Sequence, residues 1–124
     1  MDFVILLYHG VTDQISNGIE NNSNKHISYL DFEIQMKWLK NNANIISMDE
    51  LVHLHENNLK IDPKTVLVTF DDSFKNNYTL AAPILDKYKI KTTFYLSSGK
   101  IGTDIPFWVD EIENCINYTK LDEL

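Results

Sequence analysis

The chain has no arginine, a single cysteine, four glycines and three prolines in 124 residues. All eleven of its basic side chains are lysines, and the net charge is −7. Neither a basic stripe nor the guanidinium forks that grip phosphate are present, so nucleic acid is excluded as a partner. The same lack removes bidentate recognition of an anionic substrate and favours an uncharged one. One cysteine, Cys115, permits no internal disulfide and no thiolate metal cluster; it is expected to pack as a small apolar residue on a helix. The apolar run Phe3–Tyr8 is far shorter than the roughly 20 residues of a membrane helix. Asp2 stands where a secretory signal would carry positive charge. These features predict a cytoplasmic chain with no membrane partner. A hydrophobic content of 44% is that of a globular chain, long enough to bury a core as one domain.

What is present centres on Val66-Leu67-Val68-Thr69-Phe70-Asp71-Asp72-Ser73. Apolar and β-branched residues make a buried strand that stops on two adjacent carboxylates. In α/β folds chemistry sits just beyond the carboxyl ends of parallel strands. Two acids placed there cost solvation energy unless a metal or a proton in transit uses them. The competing expectation is a pair that caps a helix or faces water in a loop.

Around this strand the chain alternates. Phe3–Tyr8 reads as a strand covered on both faces, ending in His9-Gly10, where His9 would stand near the acids if the two strands are neighbours. Thr12–Lys25 is polar and Asn-rich, with Gly18, and reads as a surface loop. Ser28 and Asp31 have capping-box spacing at the start of a helix. On that helix Leu30, Ile34 and Trp38, with Phe32, Met36 and Leu39, form a wide apolar face. Ile45-Ile46 is a short strand. Ser47 and Glu50 box the start of a second helix, with Leu51, Val52, His55 and Leu59 along one side. His53 and His55 lie about 200° apart around that helix and cannot share a ligand. After the acids, Tyr78 to Tyr88 has helical spacing, with Pro83 either kinking the helix or starting its regular part. Lys89 stands where a left-handed cap is wanted. Thr92–Leu96 is the next strand, and a helix from near Pro106, capped by Asp104, turns Trp108, Ile112, Cys115 and Ile116 inward. This order predicts parallel strands with right-handed crossovers.

These segments together resemble the polysaccharide deacetylase family, the NodB-homology domain of carbohydrate esterase family 4. Tyr8-His9-Gly10-Val11 resembles the YHxV signature of one branch, and Thr69-Phe70-Asp71-Asp72 matches the TFDD motif. Ala82-Pro83-Ile84-Leu85, Thr93-Phe94-Tyr95 and Gly99 match its continuation, and Phe107-Trp108-Val109-Asp110-Glu111 is similar to the FWWDEL segment that follows. The resemblance implies an α/β fold, a partial (β/α) barrel of about four parallel strands alternating with helices. Residues 1–124 would form a single, incomplete domain of this type, corresponding to its amino-terminal half.

The implied activity is metal-dependent hydrolysis of acetyl groups from a polysaccharide or amino sugar. Asp71 would be the general base and Asp72 a ligand of a divalent metal, zinc by family habit, with His9 a further active-site residue. The family puts Gly after the acid pair, where this chain has Ser73, which implies a modestly strained loop. Members complete the metal site with two later histidines spaced three to five apart, and carry a later arginine. Here the only histidines are His9, His26, His53 and His55, all before the acids, and His26 is expected in a polar loop. The chain is therefore expected to need a second polypeptide to complete the barrel, or to self-associate, and to be weak or inactive alone. The alternative is a non-catalytic carbohydrate-binding or scaffold module on the same half-barrel. A phospho-aspartyl enzyme of the haloacid-dehalogenase kind is disfavoured, because Asp71-Asp72-Ser73 lacks the Asp-x-Asp it needs.

Overall fold

The computed structural model describes residues 3–14, 21 and 25–120. Most of the loop expected over Thr12–Lys25 lies outside them. The elements are β1 (Phe3–Tyr8), β2 (Gly10–Thr12), β3 (His26–Ser28), α1 (Tyr29–Asn42), β4 (Asn44–Ile45), α2 (Met48–Glu56), β5 (Thr65–Phe70), α3 (Ala82–Tyr88), β6 (Thr92–Phe94) and α4 (Trp108–Tyr118). β1, β4, β5 and β6 form one parallel sheet, with β5 in the middle. β1 runs along one edge of β5 from Phe3 against Thr65 to Tyr8 against Phe70. The other edge is shared by β4 at its start and β6 at its end. The expected alternation of four parallel strands with helices is what the fold shows. Among the described residues no helix is long and apolar enough to cross a membrane.

All of β5 is buried, as a central strand covered on both faces should be. Val66, Val68 and Phe70 point into the helix layer, where they pack with Phe32, Met36 and Leu39 of α1 and Ile84 and Leu85 of α3. Alternation sends Leu67 and Thr69 to the opposite, inner face, where the Thr69 hydroxyl donates to the Leu6 carbonyl at 3.1 Å. Neighbouring Ile5 and Leu7 of β1 share that inner face by register and remain 47% and 54% exposed. Among the described residues β1 pairs only with β5, so its outer edge is open.

The caps are where local chemistry placed them. Ser28 accepts the Asp31 N–H at the start of α1, and Ser47 with Glu50 closes a full capping box on α2. Pro83 lies in the first turn of α3, just after a π-helical turn over Asn77–Ala81, so it starts the regular helix. Lys89 takes the left-handed cap at φ 54°, and the Ile90 N–H closes onto the Leu85 carbonyl at 2.9 Å.

Four expectations about packing are corrected. β1 is not covered on both faces, since Val4 on one side and Ile5 and Leu7 on the other are exposed. On α1 only Phe32, Met36 and Leu39 are buried, while Leu30, Ile34 and Trp38 are exposed. The helix lies on the core by one stripe, and nothing described covers the other. α2 buries no residue and ends at Glu56, before Leu59, because Asn58 turns left-handed at φ 50°. On α4, Trp108, Ile112 and Cys115 are exposed and only Ile116 is half-buried. The cap position is Phe107 rather than Asp104, with no side-chain cap. α4 instead turns Asp110 and Glu113 toward Lys25.

Glu50 ties two of these elements together. Its carboxylate accepts from Lys91 Nζ at 2.7 Å and from the Ser47 N–H at 2.7 Å. The Lys91 bond first, then the Ser47 amide, pull its pKa down to about 2. A depressed carboxylate stabilises the fold above its ordinary pKa of about 4.5, and that contribution is lost as pH falls toward 2. Thermal unfolding followed from pH 5 to pH 2 should therefore fall less steeply for Glu50→Gln, which keeps a cap acceptor but has no charge to titrate. An unchanged acid slope would separate Glu50 from acid stability.

Candidate active site

The acid pair occupies the turn that leaves β5. The Asp71 N–H donates to the Tyr8 carbonyl at 2.9 Å, and the Tyr95 N–H donates to the Phe70 carbonyl at 2.8 Å. Asp71 thus still belongs to the ladder, and alternation places it on the inner face with Leu67 and Thr69. The chain then leaves strand geometry at once: Asp72 has φ 70° and Ser73 φ 61°. Two successive left-handed residues are what the adjacent acids need if they are not to point to opposite faces. Aspartate tolerates this region better than most side chains.

At Ser73 the cost is offset by a contact. Its hydroxyl oxygen accepts the Ser97 N–H at 3.1 Å, fastening this turn to the segment after β6. A left-handed non-glycine residue is strained by about 1–2 kcal/mol, and a hydrogen bond returns about 1 kcal/mol. Ser73→Gly, which relieves the strain and loses the bond, should change unfolding free energy by less than about 1 kcal/mol. Ser73→Ala, which loses the bond and keeps the strain, should cost about 1–2 kcal/mol. Urea unfolding of the two variants side by side reads the order; alanine at least as stable as glycine would contradict it.

His9 follows β1, and the β1–β5 pairing brings it to the acids. Its Nε2 lies 3.9 Å from Asp72 Oδ2, with the two side chains 38% and 34% exposed. Asp72 lines two hollows. One, of about 610 Å³, is walled by His9, Lys25, Asp72, Trp108, Val109, Ile112 and Glu113. The other, of about 440 Å³, runs from Asp72 and Ser73 past Ser97 and Lys100 to Phe107. Asp71 lines neither. Asp72 and His9 are therefore brought together, and Asp71, placed on the inner face of the sheet by alternation, shares neither hollow with them.

His26 is not in a loop. It lies in β3, which pairs with β2, Gly10 against His26. Its ring meets Phe74 edge-on at 4.8 Å and its Nδ1 is 3.4 Å from Asn76 Nδ2. A Cβ on Gly10 would fall 2.0 Å from His26 Nδ1, so the glycine after His9 makes room for this ring. Burial pushes the His26 pKa below its ordinary value, with the Lys25 charge adding to the effect. A neutral, packed imidazole has a structural role. His53 lies on α2, its ring nitrogen 3.2 Å from Asn57 Nδ2.

Lys25, at the end of a polar stretch, carries no motif that marks it out. Its ammonium, with a side chain only 12% exposed, is held by Asp110 and by Glu113 at 3.5 Å. Burial pushes its pKa down, but the Asp110 bond and the two carboxylate charges outweigh that and hold it above the ordinary value. The only available signal was Asp110 and Glu113, three apart on one face of α4; their partner lies 85 positions before Asp110.

A catalytic zinc takes about three protein ligands. Asp72 with His9 beside it could offer two at most, and among the described residues no three His, Cys, Asp or Glu side chains cluster to hold a metal. The described residues do not by themselves fit that ion.

A parallel α/β sheet with acids at the tip of its central strand defines the class: a partial (β/α) barrel with an acidic site at the carboxyl ends of its strands. The chain belongs to the polysaccharide deacetylase family, whose profile matches residues 58–116. It is 34% identical over 99 residues to the Bacillus subtilis protein YxkH, covering 79% of this chain and 33% of that one. It is 34% identical over 82 residues to the poly-β-1,6-N-acetyl-D-glucosamine N-deacetylase of Staphylococcus aureus, covering 65% of this chain and 28% of that one. The Streptococcus pyogenes deacetylase PplD, solved in complex with acetate, superposes with a TM-score of 0.70 at 26% identity over 94% of this chain and 53% of its own. The chain thus spans about a third of the length of these curated relatives.

Proposed function

We propose that this chain is the acid-bearing part of a hydrolase that removes acetyl groups from a polysaccharide of acetylated amino sugars. The approach of Asp72 to His9 at the carboxyl ends of parallel strands carries the reading, and the family and its N-deacetylase relatives support it. Asp71 is the general base. As a water oxygen bonds to the acetyl carbon, its proton passes to the Asp71 carboxylate; as the C–N bond then breaks, that proton is returned to the departing nitrogen, leaving acetate and the free amine. Asp72 supplies one ligand to a divalent cation, zinc by family resemblance, and His9 lies against it. The remaining ligands would come from a complementary segment outside the described residues.

The surface supports such a partner. β1 has an open edge among the described residues, Ile5 and Leu7 are uncovered on its inner face, and Val4, Ile34 and Trp38 line an apolar groove of about 850 Å³ on the other. An open edge between two apolar faces suits an added strand and helix. Mixing the chain with the part of the Staphylococcus aureus relative that its match leaves out, and assaying acetate from acetylated poly-β-1,6-glucosamine, tests the proposal. Release from the mixture and from neither part alone is expected. A stable complex that releases no acetate at any divalent-ion concentration would overturn it.

A further inference from the structure

Trp108 is 69% exposed in the first turn of α4, although an indole normally buries a large apolar area. Its exposure does not come from a loose helix. The preceding Phe107 ring packs on Phe74 at 5.5 Å, and Lys100 Nζ sits 5.6 Å from the same ring while donating to the Pro106 carbonyl at 2.8 Å. Lys25 holds Asp110 and Glu113 from the other side. The turn is pinned at both ends, and Trp108 stands at the wall of the 610 Å³ hollow that contains His9 and Asp72.

We propose that Trp108 is the stacking wall of a sugar subsite next to Asp72, taking the uncharged ring of an acetylated amino sugar. The inference rests on the proposed deacetylase reading and names how the substrate is held. The hollow is large enough for a small ligand and pairs an aromatic face with acceptor oxygens. An indole packs against the C–H face of a pyranose, while carboxylates accept from its hydroxyls. Lys25, the one lysine on the wall, already has two carboxylates, so little is left to attract an anion. Trp108 would position substrate and take no part in proton transfer.

The chain has only two tryptophans, and Trp38 lies in the α1 groove away from this hollow. Trp38→Phe therefore leaves Trp108 as sole indole reporter. Titrating that variant with an N-acetylglucosamine oligosaccharide should give a saturable change in emission. Calorimetry on the intact chain should show about tenfold weaker binding for Trp108→Ala, with circular dichroism unchanged. No emission response, or equal affinity in the alanine variant, overturns the proposal. So does a complementary fragment that shifts Trp108 emission and leaves it deaf to sugar, which would assign the indole to an interface. Binding is read without turnover, so acetate release can fail while the subsite stands, and the reverse.

Discussion

Asp71→Asn, in the domain completed by its complementary fragment, is expected to lower acetate release by about 10²- to 10⁴-fold, the usual worth of a positioned general base. The substitution is nearly isosteric, and the Asp71 N–H bond to the Tyr8 carbonyl does not depend on the side chain, so the turn should hold its shape. What disappears is the acceptor for the proton of the attacking water. Oligosaccharide affinity should stay within about twofold, since Asp71 lines neither hollow. Asp72→Asn separates the two acids. If Asp72 binds the cation, part of its lost activity returns with excess zinc, whereas Asp71→Asn stays inactive at every concentration. Equal rescue of both would remove the division of labour between them.

Much of this was legible because it is local. An alternating run ending in Asp71-Asp72, a Ser47–Glu50 box and a left-handed Lys89 are each decided within a few residues, so the pattern carries the geometry. His9 was legible by topology: parallel pairing of β1 with β5 puts the residues after Tyr8 and Phe70 side by side. Periodicity fails elsewhere for a physical reason. It says that Ile34 and Trp38, or Trp108 and Ile112, share a face, and cannot say what covers that face. In a chain spanning a third of its curated relatives, the described residues leave those faces bare. The short β2–β3 pair and the Lys25 bridge to α4 depend on contacts between distant, polar segments with no pattern of their own. The strain at Ser73 was visible as a missing glycine, but its compensation by Ser97 was not.

Phe70→Ala is expected to be the most destabilising single change, by about 3–5 kcal/mol. Phe70 is fully buried and joins three rings: Tyr8 stacked at 5.4 Å, Phe94 stacked at 5.1 Å and Phe32 edge-on at 5.7 Å. Removing it loses the transfer energy of the ring, opens a cavity between β1, β6 and α1, and ends three aromatic contacts worth about 0.5–1.5 kcal/mol each beyond area. A small domain holds only about 5–15 kcal/mol in total, and this one leaves β1 and half of α1 uncovered, so the variant should be substantially unfolded at 37 °C. Leu30→Ala, on the exposed stripe of α1, should cost less than about 0.5 kcal/mol, and the pair measured by urea unfolding fixes the scale. The consequence reaches the site, because the Phe70 carbonyl holds Tyr95 and the next residue is Asp71. If the complementary fragment covers the open edge of β1, its addition should restore much of the lost cooperativity in Phe70→Ala, since binding only the folded state adds stability by mass action. A variant as stable as the parent chain would mean that the ring cluster around Phe70 does not hold β5 in place, and with it the footing of the acid pair.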